Sequence, residues 1–436
     1  DLLRRAGRDV TILEARDRVG GRVWSVPSAA GATVDLGGQW FGPRQQRVRA
    51  LVERLRLVAV ETHQSGAMLY DVAGSVQRQA FAILPLPPFA LLDLLQLQHR
   101  LGRLARDLPL RARWAEAAPA LDAQSVHDWI EQHAWSAAGR AMLRSSLSES
   151  LCLEPEQVSL LDLVEQLRQC GGADGLATAE RWFLPGGAQQ LADGLARGLA
   201  GHIAFGQTVT RIAQDGSGVT VSTVYQVWRA QHVIVAVPPP LAPLIRYSPG
   251  LPVGQARLLE RAQMGRIVKS VSVYPEAFWR TTGLSGGLIS DQGAVAATLD
   301  ASPPGGRPGV LVALTGGRRA RRLAELSPAT RRAVVQDRLR ALFGPQAAKP
   351  VAYHDYAWAD DPWAQGGYAA RFPPNTLSQV GAGLGASFGR LHWAGSETAD
   401  AWRSYMEGAL QSAERAAAEV LRSEHHEHTA YSQSCR

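Results

Sequence analysis

A chain of 436 residues that is 46% hydrophobic and 19% charged holds enough apolar side chains for more than one core, and it reads as a globular protein of two domains. The formal net charge of +7 is dispersed among acidic residues, and the lack of a basic block with interleaved aromatics excludes a nucleic-acid groove. Cys152, Cys170 and Cys435, the only cysteines, have neither metal-ligand nor redox spacing, which excludes a disulfide scaffold and points to a reducing, cytoplasmic setting.

At the start of the chain Leu2, Leu3 and Ala6 look like the last turns of a helix, and Asp9 to Glu14, DVTILE, reads as a strand that ends in an acid. This is half of a βαβ unit. In dinucleotide-binding domains such an acid accepts hydrogen bonds from the ribose about 20 residues after a glycine-rich turn. The first strand and that turn are therefore expected upstream of residue 1. Two glycine pairs follow, Gly20-Gly21 in RDRVGGRVW and Gly37-Gly38 in DLGGQWFGP, and each lets backbone approach a ligand closely.

From Thr62 to Phe183 the pattern turns helical, with periodic segments at Leu91 to Leu104 and Val126 to Ile130. The most apolar run, Phe81 to Leu97, is broken by Pro85, Pro87 and Pro88 and carries Asp93, so no membrane span is expected. A glycine turn and an amphipathic helix occupy Leu184 to Leu199, and strands follow from Ile203 to Val237 around an Asp215-Gly216-Ser217-Gly218 turn. With no flexible linker between them, the two domains are joined by several crossings of the chain.

Ile267 to Tyr274, IVKSVSVY, alternates with period two and sets Lys269 on one face with Ile267, Val271 and Val273. An edge-strand lysine reaching solvent is one reading. A buried ammonium is the other, and it must be paired, hydrated or deprotonated. Lysine occurs only here and at Lys349 among 46 basic residues, which favours a specific role.

Near the C-terminus, Leu391 to Leu421 reads as a strand, a glycine turn and a helix. Ser404 and Glu407 have capping-box spacing, so a helix start at Tyr405 is expected, with free amides that attract negative charge. Gly408, Ala409, Ser412, Ala413, Ala416 and Ala417 recur at helical spacing and admit a close neighbour. The last residues, with His425, His426 and His428, read as a solvated, disordered end without a metal site.

The order Glu14, Arg16, Gly20-Gly21-Arg22, Gly37-Gly38, the turn Ala394-Gly395-Ser396-Glu397-Thr398 and the segment Tyr353 to Pro374 resemble the flavin amine oxidase family, which includes monoamine and polyamine oxidases. The resemblance covers Asp9 to Leu421. It implies an α/β plus α+β fold, with a discontinuous Rossmann-like FAD-binding domain (residues 1–60, 184–258 and 362–423), a substrate domain (61–183 and 259–361) and a disordered tail (424–436). FAD contacts are implied at Glu14, Arg16, Gly21, Arg22, Gly37, Gly38, Gln39 and Trp40, at Val209 beside the adenine, and at Trp358, Gly395, Ser396, Glu397 and Met406. Leu151, Cys152 and Leu176 are implied as substrate-cavity wall. The family's polar cavity residue is not identifiable, because the segment Asp174 to Trp182 is shortened.

The same resemblance makes Tyr368 and Tyr405 an aromatic cage before the flavin and gives Lys269 a water held against flavin N5. Gly367 stands where animal monoamine oxidases carry the cysteine that bonds the flavin, so FAD is expected to be non-covalent. The implied reaction is oxidative deamination of an amine, a small primary one, to an imine and then an aldehyde, with dioxygen reduced to hydrogen peroxide. Neither a membrane nor a nucleic acid is an implied partner, and a homodimer is left open. Polyamine oxidase and L-amino-acid oxidase remain as alternatives. From another class, an inactive flavoprotein or a truncated non-catalytic chain also stays open.

Overall fold

The computed structural model describes residues 1–80, 84–108, 118–380 and 383–434. Residues 81–83 of the apolar run and Cys435 lie outside the described residues.

The largest sheet has seven strands, in the order Ala352–Ala357, Ile267–Tyr274, Gly309–Gly316, Ala297–Asp300, Leu284–Ser290, Ala67–Val72 and Ser75–Gln79. All eight residues of Ile267–Tyr274 are buried, because both sheet faces are covered. On one face Val268, Leu311 and Ala313 pack with Leu323, Val335 and Leu339 of the helices Gly317–Ala324 and Pro328–Phe343. On the other, Val271, Val273, Val310 and Val312 pack with Val34 and Leu36. Lys269 shares the second face, on a strand flanked on both sides, so the edge-strand reading fails.

The last two strands of this sheet fall in the stretch read as helical. Their hairpin turns through Ala73 and Gly74, both with positive φ (54° and 78°), the signature of a tight primed turn whose twist matches the strands. Helices resume at Pro88–Asp107, Val126–His133, Ala137–Leu151 and Leu160–Gln169, which bury Leu97, Ile130, Leu143, Leu160 and Val164 in a common core. Asp93, the acid inside the apolar run, accepts hydrogen bonds from the N–H groups of Trp135 (3.1 Å) and Ser136 (2.7 Å). It therefore anchors the start of the Ala137–Leu151 helix.

Elsewhere Ile12–Leu13 pairs in parallel with Ile203–Ala204, and Val233–Val235 with Leu391–Trp393. These are separate two-stranded sheets among the described residues, and the strand expected over Asp9 to Glu14 is only two residues long. Val10 to Leu13 and Val233 to Val235 border the same cavity. A four-stranded sheet, Val227–Ala230, Gly218–Thr223, Val209–Asp215 and Arg246–Ser248, lies alongside in the chain.

The C-terminal helix, Met406–Ser434, starts without the capping box expected at Ser404. Ser404 has φ 78°, outside the extended region a capping residue adopts, and its buried hydroxyl has no partner. Glu407 turns instead to the helix Gln46–Arg54, where its carboxylate accepts from the N–H groups of Arg47 (3.2 Å) and Val48 (3.0 Å). The same helix carries the backbone through the tail expected to be disordered. With no glycine or proline after Gly408, nothing in the sequence interrupts it.

Candidate active site

Where the strands of the first 60 residues, the seven-stranded sheet and the C-terminal helix meet, the chain encloses a cavity of about 2480 Å³. Glu14, Arg16, Gly21 and Arg22 line it, as do Gly37, Gly38, Gln39 and Trp40. Val209, Trp358, Gly395, Ser396 and Met406 reach it from later in the chain. Lys269, Tyr368 and Tyr405 border the same space, with Leu151 and Leu176 on its apolar wall.

Two of the predicted residues stand behind that wall. Cys152 has no exposed surface and packs with Ile267, Trp358 and Ala364, because its left-handed backbone at the end of Ala137–Leu151 (φ 57°) turns it inward. Burial pushes its thiol up to about 12, and it is not among the residues that line the cavity. Glu397 is 1% exposed, and it grips Arg22, accepting from Nη1 (2.6 Å) and Nη2 (2.8 Å). It also accepts from the Ala370 N–H and the Ser396 hydroxyl. Burial alone would raise its carboxyl, yet the Arg22 guanidinium and these bonds bring it to about 2. Glu397 is thus a positioning residue for Arg22, whose Nη1 also donates to the Tyr368 carbonyl at 2.8 Å.

The glycines have a steric reason. A Cβ at Gly37 would lie 2.1 Å from the Arg22 carbonyl oxygen, so only glycine lets the two strands close. Gly395 has φ 111° and open space on its cavity side, and its N–H donates to Ser412 Oγ at 3.0 Å. Arg18, which the sequence reading did not single out, ties the Gly20-Gly21 turn through the carbonyls of Val19, Gly21 and Val23. Arg16 is anchored by Asp361 (2.6 Å), while its N–H donates to Glu14.

Lys269 is 3% exposed. Its Nζ donates to the Gly37 carbonyl (2.9 Å) and to Gln39 Oε1 (2.8 Å), and it stands 4.9 Å from the centre of the Trp40 ring. Burial draws the ammonium down to about 8, against the opposing pull of Asp35 and Glu180. Two of three possible donors are taken, which leaves one N–H for a further acceptor. Tyr368, 41% exposed and lining the cavity, and Tyr405 are neutral phenols, since desolvation raises both well above their ordinary range. The Tyr405 ring meets Trp402 edge-on at 5.2 Å.

The site fits FAD on its own chemistry. Trp40 Nε1 and the Ser404 hydroxyl are buried without a protein partner, and groups of that kind call for a polar ligand. Arg22 and the open side of Gly395 supply a cation and close backbone approach for a flat, anionic cofactor. Glu180 and Arg371 also border the cavity, and neither was foreseen. Glu180 comes from the shortened segment, and no periodic pattern marks it. Arg371 lies 3.6 Å from Asp162, which also pairs with Arg403.

Fold and cavity define a protein built to hold a dinucleotide against a partly apolar chamber. Comparison with known proteins gives the particular family. The sequence profile of the flavin containing amine oxidoreductases matches residues 1–421. A Mycobacterium tuberculosis protein named a flavin-containing monoamine oxidase, AofH, is 35% identical over 96% of this chain and 92% of its own. Flavin-containing amine oxidase B of Sus scrofa is 32% identical over 96% of this chain and 83% of its own. The solved structure of cyclohexylamine oxidase from Brevibacterium oxydans superposes with a TM-score of 0.91 at 32% identity, covering 97% of this chain and 96% of that one. The chain belongs to the flavin containing amine oxidoreductase family. It has the mixed helix and sheet fold of FAD-dependent amine oxidases, and FAD-dependent amine oxidation is its activity. No helix among the described residues is long and apolar enough to cross a membrane.

Proposed function

We propose that this enzyme deaminates a small primary amine to an imine that hydrolyses to the aldehyde, with dioxygen leaving as hydrogen peroxide and FAD held without a covalent bond. The observation that carries the reading is that Lys269, Tyr368 and Tyr405 border one cavity with Gly37 and with Arg22, which Glu397 holds. Bound FAD supplies the hydride acceptor and the site of dioxygen reduction. The protein supplies position. Tyr368 and Tyr405, neutral phenols on the cavity wall, offer π faces that orient a cationic or polar nitrogen. Lys269 keeps one N–H for a water or substrate oxygen at the reacting end. Ile267, Leu167 and Leu176 on the wall suit an apolar tail.

Residues 1–60, 184–258 and 362–423 serve as the FAD-binding domain in this reading, and residues 61–183 and 259–361 as the substrate domain. At the position of the animal tether, a Cβ on Gly367 would lie 2.9 Å from Ile267 Cγ2, so the residue brings no nucleophile and leaves little room for one. The solved relatives include a putrescine oxidase with putrescine bound, 29% identical to this chain, which also favours a small amine. Buried free thiols at Cys152 and Cys170 accord with the reducing cytoplasm. Peroxide release on tyramine, phenethylamine, putrescine, spermidine and amino acids tests the reading. A higher kcat/KM for spermidine than for any small primary amine would overturn it.

A further inference from the structure

The segment that hid the family's polar cavity residue places Glu180 in the cavity wall. Its backbone is fixed on both sides of the residue. The Thr62 hydroxyl donates to the Glu180 carbonyl (2.8 Å), the Thr62 N–H donates to the Arg181 carbonyl (2.9 Å), and Phe41 bridges to Trp182. The side chain is exposed into the cavity, and among the described residues its carboxyl has no hydrogen bond and no ion pair. Every other acid lining the cavity has one: Asp1 from Arg5, Asp9 from Arg4, Glu14 from the Arg16 N–H, Glu149 from Arg319, Asp215 from Ser217, Glu414 from Arg47 and Glu424 from Arg8.

Glu180 lines the same cavity as Lys269, Tyr368 and Tyr405, and its charge bears on all three. Lys269 does not neutralise it by contact, because its bonds go to Gly37 and Gln39. The cavity walls around it desolvate the Glu180 carboxyl and raise it, and Lys269 opposes that rise. A fixed acid without a partner, in a wall that desolvates what enters, is a recognition group for a cation.

We propose that Glu180 is the counter-ion of the substrate's ammonium group and selects cationic amines over neutral molecules of the same shape. The inference rests on the amine-oxidising reading above. An alkyl amine carries its positive charge near neutral pH, and entry into a chamber walled by Ile267, Leu167 and Leu176 strips water from that charge. A charge-assisted hydrogen bond from the ammonium N–H to the Glu180 carboxylate offsets the loss. A neutral alcohol of equal size can donate one hydrogen bond to that carboxylate but brings no positive charge to pair with it.

The test uses the FAD-loaded protein and two probes of one shape: 2-phenylpropan-2-amine, which has no hydrogen on the carbon bearing nitrogen and is not oxidised, and the neutral 2-phenylpropan-2-ol. Calorimetry at neutral pH should give a Kd for the amine at least about tenfold below that of the alcohol, and Glu180→Gln should narrow the gap to within about threefold. Glu180→Asp should keep part of the preference. Because Glu180 bonds to no protein group through its side chain, the variants should fold and keep their FAD, read from the flavin absorbance. A Glu180→Gln protein that retains the amine preference, or a wild type that shows none, overturns the proposal. Failure of the amine-oxidising reading would show itself separately, as no peroxide from any amine, a result on which the binding ratio does not depend.

Discussion

Replacing Lys269 with Met removes the one charge from a sheet face built of Val271, Val273, Val310 and Val312. The size of the effect follows from burial, which draws the ammonium from 10.5 to about 8 while Asp35 and Glu180 pull the other way. In the unfolded chain the lysine keeps its proton up to about 10.5; in the folded protein it gives it up near 8. Below pH 8 both states are protonated and the folded state carries the full cost of the buried charge. Above that the unfolded state binds more protons, so stability rises with pH until both states are neutral. At about 1.4 kcal/mol per pH unit, the wild type should gain about 2 to 3 kcal/mol relative to Lys269→Met between pH 7 and pH 10. The variant also strands the Gly37 carbonyl and Gln39 Oε1, a cost of about 1 to 3 kcal/mol each that does not depend on pH. Urea unfolding of both proteins across this range measures the difference directly, because groups common to both cancel. A difference that stays flat with pH would refute the buried, titrating lysine. The same variant should retain most of its FAD and slow flavin reduction or reoxidation about tenfold, or about 1.4 kcal/mol of barrier. Lys349→Met, at an exposed position, should leave both steps alone.

Glu397→Gln should loosen Arg22 and weaken FAD binding, read by flavin fluorescence on titration. Because the Glu397 carboxyl is held at about 2, its contribution to stability is complete above about 4.5 and fades as pH falls through 2, a limb of about 3 kcal/mol that acid unfolding of the variant should lack. Glu407→Ala should cost about 1 to 2 kcal/mol in urea unfolding, since it uncaps the helix Gln46–Arg54 at Arg47 and Val48. Acid precipitation should release yellow flavin into the supernatant, and colour retained in the washed pellet would contradict a non-covalent cofactor.

The parts legible in the sequence were those where backbone geometry restricts residue type. Gly37 must be glycine because Arg22 O lies where its Cβ would be, and a lysine on an apolar strand face signals its own cost. Partner choice was hidden. Ser404 and Glu407 have capping-box spacing, but a positive φ at Ser404 and a nearer set of amides at Arg47 and Val48 diverted Glu407 to another helix. The hairpin at Ala67–Val72 and Ser75–Gln79 turns through Ala73, which rarely adopts positive φ and so gave no turn signal. Cys152 follows a helix whose end rotates it into the core, an orientation that resemblance alone does not convey. Glu180 was invisible because what distinguishes it is a missing partner, and only three-dimensional placement reveals that.

The central claim is that this cavity brings an amine to bound FAD. Anaerobic titration of the flavin-loaded protein with phenethylamine, followed by visible absorbance, tests it most directly. The account predicts that the yellow colour bleaches on adding amine and returns with release of hydrogen peroxide when air is admitted. Flavin that stays bound and oxidised in the presence of every amine tried would contradict it.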